Sequence, residues 1–190
     1  MSERLLGPIV LLQVQAEPLK APGVYDPAPL RTVEEASVSA RGMLGWDGSA
    51  WVVDAHHVEH PRSRGGGRRA LSIGLTGHYA SIGERFPRSS VGIGSENIIV
   101  DGPGLRLPEI ADGFVVRRPD GTEIDLFSPR VAAPCVEFTS YLLEADGVLA
   151  RDQILDDLAF LSEGTRGHIV DISHLDRPVA LAVGDEVYLR

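Results

Sequence analysis

Glycine and proline interrupt this chain so often that a long amphipathic helix has almost nowhere to form. There are 21 glycines and 13 prolines in 190 residues. Between them stand short apolar runs of the length and alternation that suit strands. Ile9 to Gln15 reads as a first strand, and the four-proline stretch from Ala16 to Pro29 as a loop. Val33 to Ala40 reads as a second strand, Gly42 to Gly48 as a turn, and Ala50 to His56 as a third strand. The run from His60 to Arg69 is a basic loop that its glycines keep irregular. Leu75, Tyr79, Ile82 and Phe86 recur at helical spacing, which predicts a short helix with Thr76 near its start. Ile98 to Val100 is a short strand. Phe114 to Arg118 and Glu123 to Phe127 predict a hairpin across Pro119, Asp120 and Gly121. Helices are expected over Val136 to Leu143 and Arg151 to Leu161, the second stopping at Gly164. Strands close the chain at His168 to Ile172, Val179 to Ala182 and Glu186 to Leu189. No internal repeat or domain boundary appears, so residues 1–190 read as a single domain. The predicted fold is mainly β with a few helices, closed into a barrel, because closure is the easiest way for so many strands to hide their edges.

The charge balance narrows the partners. A net charge of −9 excludes nucleic-acid backbones and anionic membrane surfaces as main partners. No stretch is long and apolar enough to span a bilayer, and Pro8 to Val14 lacks the flanks of a signal peptide. One cysteine and no export signal point to the cytoplasm. Lys20 is the only lysine and lies in a proline-rich loop, which disfavours Schiff-base chemistry of the pyridoxal phosphate kind. No Gly-x-Ser-x-Gly elbow or dinucleotide-binding glycine fingerprint is present.

Cys135 is the residue most able to carry chemistry. A lone thiol forms no intramolecular disulfide, so it serves either packing or reactivity. Its neighbourhood, Pro129-Arg130-Val131-Ala132-Ala133-Pro134-Cys135, puts a guanidinium nearby, and a guanidinium favours the reactive thiolate. Arg68 and Arg69 can clamp an anion from the glycine loop, whereas Arg62 and Arg64 read as solvated. Asn97 reads as a site residue and Glu96 as a turn cap. Asp54, His56 and His60 would share one face of a strand, so two imidazoles and a carboxylate can converge on a metal. The simpler reading of His56, His57 and His60 is polar surface.

Four segments in order resemble the MOSC family, the module named after the C-terminal domain of molybdenum cofactor sulfurase. Gly42-Met43-Leu44-Gly45-Trp46-Asp47 is similar to its early Gly-Leu-x-Gly-Asp turn. Arg69-Ala70-Leu71-Ser72-Ile73 is similar to its Arg-Gln-Val strand leading into a helix. Gly94-Ser95-Glu96-Asn97-Ile98, with Gly102 and Leu105 behind it, resembles Gly-x-Gly-Glu-Asn-Leu. Arg130 and Pro134-Cys135 resemble Pro-Arg-x-Pro-Cys, and the ending from Ala182 to Val187 resembles the closing strand. The likeness is clearest over residues 33–190. Ser95 stands where the family has glycine, two extra residues separate Arg130 from Pro134, and Trp46 enters the first turn.

The resemblance implies a Greek-key-like β-barrel that binds molybdenum cofactor, or molybdopterin, through Cys135. That residue would be both catalytic group and metal ligand, with Ser95, Asn97, Arg130, Arg68 and Arg69 on the cofactor. A soft thiolate suits molybdenum or a persulfide, and arginines bind phosphate bidentately. The function expected is the catalytic component of a molybdenum-dependent oxidoreductase acting on N-hydroxylated compounds, or a sulfur carrier or transferase using the same thiol. The oxidoreductase reading needs an electron-transfer protein as partner, because the chain has no cysteine-rich iron–sulfur segment. The alternative is a non-catalytic barrel that binds a different anionic small molecule.

Overall fold

The structure, a computed structural model, describes residues 3–21, 23–63 and 71–190. Its strands in chain order are β1 (Arg4–Gln15), β2 (Lys20–Ala21), β3 (Val24–Tyr25), β4 (Leu30–Val33), β5 (Glu35–Ser39), β6 (Gly42–Trp46) and β7 (Trp51–Val53). They continue as β8 (Leu71–Leu75), β9 (Ile98–Val100), β10 (Phe114–Arg117), β11 (Glu123–Val131), β12 (His168–Asp171), β13 (Val179–Ala182) and β14 (Glu186–Leu189). Among the described residues three α-helices are interspersed: α1 (Thr76–Arg85), α2 (Val136–Leu142) and α3 (Leu155–Phe160).

Seven strands close a barrel in the order β14, β10, β11, β12, β8, β9, β1, with β1 returning to β14. Every ladder is antiparallel except the parallel pair of β8 and β9, which are joined through α1. A parallel pair needs such a crossover, since a tight turn reverses the chain. A second sheet, ordered β13, β5, β6, β7, packs beside the barrel. One apolar core spans both: Leu12, Val14, Ile73, Phe114 and Leu126 from the barrel meet Ala36, Val38, Met43 and Leu181 from the second sheet. A smaller cluster of Tyr79, Ile82, Phe86, Phe138, Leu142 and Leu161 fastens the helices to the barrel's outside.

The structure bears out the mainly β, closed-barrel class and corrects several local expectations. The run expected as one strand over 33–40 is two elements. β4 pairs with β1, and β5 pairs with β6 and β13, so the chain changes sheet at Glu34. The segment read as a turn at 42–48 is mostly strand β6, because ladders on both sides and the Trp46–Trp51 ring contact hold it extended. β7 ends at Val53, short of His56, because the Asp54 carboxylate folds the backbone over by accepting from His56 N at 2.8 Å. The helix expected over 151–161 begins as a 3-10 turn over Arg151–Ile154, and α3 covers only Leu155–Phe160. The chain leaves that region at Gly164, whose φ of 98° is the left-handed conformation glycine accepts most easily. No helix of the described residues is long and apolar enough to cross a membrane.

Candidate functional site

A cavity of about 790 Å³ lies on the outer face of the barrel. Register explains its floor. Ile169 of β12 stands opposite Arg130 of β11 and Ser72 of β8, and residues opposite one another across a ladder share a face. Leu71, Ile73 and Val170 alternate inward to the core, so Ser72, Ile169 and Arg130 form an outward row. Ser72 and Ile169 line the cavity; Arg130 continues the row, exposed. Hydrogen bonds from Ser173, and then the charge of Arg130, hold the Asp171 carboxyl below its usual range. The walls come from the loop after β1 (Leu19, Lys20, Tyr25), the turns after β7 (Ala55, His56, Arg62) and the Gly94–Asn97 segment with Arg166.

Asn97 is pinned rather than open. Its Nδ2 donates to Gln13 O at 3.2 Å and to Asp54 Oδ2 at 3.1 Å, while its Oδ1 accepts from Ser72 N at 3.1 Å and Ser72 Oγ at 2.9 Å. An amide has two donor hydrogens and two acceptor lone pairs, so these bonds saturate it. Asn97 therefore shapes the wall and ties β1, β8 and the Asp54 turn together. Ser95 sits at φ 69°, a left-handed conformation that glycine accepts most easily.

Glu96 is the buried carboxyl of the wall, only 3% exposed. Tyr79 donates a short hydrogen bond to its Oε2 and accepts from Gly94 N at 3.1 Å. Burial holds Glu96 above the ordinary carboxylate range against the pull of Arg166 and Tyr79. Glycine makes room for it: a Cβ at residue 94 would lie 2.6 Å from Glu96 Oε1, and one at 167 would lie 2.9 Å from its Cγ. Burial also raises the phenols of Tyr79 and Tyr25, so both stay neutral.

Cys135 caps α2. Its Sγ accepts from Phe138 N at 3.5 Å and its carbonyl from Thr139 N at 3.0 Å. The thiol is half-buried. It does not line the cavity but packs against the cluster that holds Tyr25 and Phe138, close enough to Tyr25 to act on its phenol electrostatically. Arg166 reaches the cysteine segment from the 164–168 turn. Its Nη1 donates to Ala133 O at 3.5 Å, its Nη2 donates to Gly94 O at 3.1 Å, and it lies 5.2 Å from the centre of the Phe138 ring. Arg68 and Arg69 lie outside the described residues.

The histidine run is not on a strand and does not converge. His60 is tied to Ala16 O through Nε2 and to Arg62 N through Nδ1, His57 accepts from Glu59 N, and His56 Nδ1 meets Asp54 Oδ1 at 3.0 Å. Among the described residues no cluster of histidine, cysteine and carboxylate groups is arranged to hold a metal. Of the site residues, sequence reasoning missed Tyr25, Tyr79 and Arg166. The one visible signal for Arg166 is its place between the helix-ending Gly164 and strand β12.

No family model matches the chain, and a comparison with curated proteins finds no match. Solved structures do match its fold. The YuaD protein from Bacillus subtilis aligns with a TM-score of 0.51 at 15% identity, covering 98% of this chain and 95% of its own. A second crystal structure, of a hypothetical protein, aligns with a TM-score of 0.55 at 16% identity, covering 98% of this chain and 67% of its own.

Proposed function

We propose that this barrel binds molybdenum cofactor, or a related sulfur-bearing species, in the cavity beside Cys135. The observation that carries the reading is that Arg166 lines a cavity of about 790 Å³ and donates to Ala133 O, two residues before the half-buried lone thiol of Cys135. The size lies within the range of small-molecule and cofactor pockets. The donor set also fits: a soft thiol suits molybdenum, and Arg166 keeps N–H groups free for an anionic end. When bound, the cofactor would supply a molybdenum centre for oxidoreduction of N-hydroxylated compounds. In this chain Cys135 would hold it, Arg166 and Lys20 would bind and orient its anionic end, and Tyr25 would screen the thiol from water. Arg130, at the end of the outward row, extends the same positive rim, and Ser95 and Asn97 shape the opposite wall. In the oxidoreductase role, electrons would come from a partner protein.

Reconstitution with molybdenum cofactor under anaerobic conditions, followed by metal analysis, tests the reading. Wild type should retain molybdenum and Cys135→Ser should lose it. No retention by wild type sinks the proposal. Persulfide formed on Cys135 without molybdenum would identify a sulfur carrier instead. A second reading is a barrel binding a different anionic small molecule without using the thiol. It is favoured by Cys135 not lining the cavity, and it expects Cys135→Ser to bind its ligand as wild type does.

A further inference from the structure

Positive charge is distributed unevenly over the described residues of this acidic chain. Arg41, Arg85, Arg88, Arg106, Arg117, Arg118 and Arg190 each have a carboxylate partner. Lys20, Arg62 and Arg166 form no such ion pair among the described residues; Arg4, Arg31, Arg151 and Arg177 form none either, but only the first three line the cavity. Among the described residues, Glu96 is the one carboxyl in that lining.

Arg166 is the fixed member of the three. Lys20 and Arg62 are exposed, whereas Arg166 rests on Phe138 and is held by Gly94 O and Ala133 O from two different loops. Both partners are neutral carbonyls, which orient the guanidinium without cancelling its charge. Among the described residues, one hydrogen on each Nη is used and one remains, while Nε is buried without a partner. A guanidinium oriented in advance loses little entropy when it grips an oxyanion. Glu96 shares the cavity lining with it, and the two act on each other through space.

We propose that Arg166 is the anchor of an oxyanion site in this cavity, and that Glu96 is the internal carboxylate competing with the ligand for it. The ligand is a small dianion such as sulfate or phosphate, free or as the phosphate end of a larger molecule. The inference rests on the cavity being a ligand site, as proposed above, but needs neither the cofactor nor the thiol. Sequence reasoning pointed to Arg68, Arg69 and Arg130 for this role; the geometry adds Arg166 and gives it the central position.

Calorimetric titration with sodium sulfate and with inorganic phosphate at pH 7 tests it. Wild type should bind saturably, and Arg166→Ala should weaken binding by about tenfold or more, the effect of one charge-assisted contact. Arg166→Lys, which keeps the charge and loses the fork, should fall between them. Glu96→Gln keeps an acceptor for Tyr79 and removes the competing charge, so it should bind sulfate more tightly than wild type. The surface change Arg177→Ala should leave affinity unaltered. Absence of saturable binding to wild type overturns the proposal, as does wild-type affinity in Arg166→Ala or weaker binding in Glu96→Gln. Should Arg166→Ala fail to fold, Arg166→Lys and Glu96→Gln decide the matter, and wild-type affinity in both refutes it. Sulfate binding through Arg166 with no uptake of molybdenum cofactor would defeat the cofactor reading alone. Uptake of molybdenum cofactor by wild type with no saturable binding of sulfate or phosphate would defeat this inference alone.

Discussion

Asp54 is the residue whose loss should most damage the cavity without touching the ligand. Its carboxylate is fully buried and makes four contacts: Gln15 N at 2.8 Å, Asn97 Nδ2 at 3.1 Å, His56 N at 2.8 Å and His56 Nδ1 at 3.0 Å. In Asp54→Ala the two His56 bonds are cheap to lose, because that side chain is 46% exposed and water replaces the partner. The other two are not. Gln15 N and one hydrogen of Asn97 would be stranded in a buried site, and each orphaned donor costs about 1–3 kcal/mol. The expected loss is therefore about 3 kcal/mol, which for a chain of this length lowers Tm by roughly 6–12 °C. Asp54→Asn, which keeps one acceptor, should lose less than half as much. Urea denaturation of the three proteins at pH 7 reads these differences directly. A loss below about 1 kcal/mol for Asp54→Ala would mean that water reaches the stranded donors, and the tie between the Asp54 turn and Asn97 would then be dispensable.

Other consequences can be checked separately. His168 is 1% exposed, and burial, with the neighbouring His78, lowers its pKa to about 4 from 6.5. A depressed folded pKa means the unfolded chain binds the extra proton first, so this stability is complete above pH 6.5 and is lost as pH falls toward 4. The loss amounts to about 3 kcal/mol, and His168→Gln should remove that part of the slope between pH 7 and pH 4.5 in urea titrations; an unchanged slope would refute the assignment. Within α1, Gly77→Ala should be severely destabilising, because its Cβ would lie 2.1 Å from Gly104 N, part of a rigid backbone. Gly83→Ala, whose Cβ meets nothing nearer than Ser89 Oγ at 3.4 Å, should instead add about 0.5–1 kcal/mol through helix propensity. Thermal melts that rank the two alike would show that the contact of α1 with the 102–104 loop yields easily. Tyr79→Phe removes the donor to Glu96 Oε2 and should lower stability by about 1–2 kcal/mol at pH 7, read by urea denaturation; no change would mean that Glu96 finds another partner.

Local chemistry determined those parts of this protein whose partners lie close along the chain. The Asp120–Gly121 turn closes the β10–β11 hairpin wherever the chain goes next, and the helical spacing of Tyr79, Ile82 and Phe86 places α1 because one apolar stripe must be buried. The abundance of short strands likewise made barrel closure legible, since edges must be paired whatever the order of pairing. Partners distant in the chain decided the rest. Gly42–Trp46 carries turn residues yet is a strand, because ladders to β5 and β7 outweigh a local preference of a fraction of a kcal/mol. Asn97 looks like a free amide until Gln13, Asp54 and Ser72, up to 84 residues away, use all its hydrogen-bonding capacity. Arg166 has no motif around it at all. It joins the cavity because the chain, after turning at Gly164, carries its guanidinium to carbonyls 33 and 72 residues away, and no local pattern encodes where those carbonyls will be.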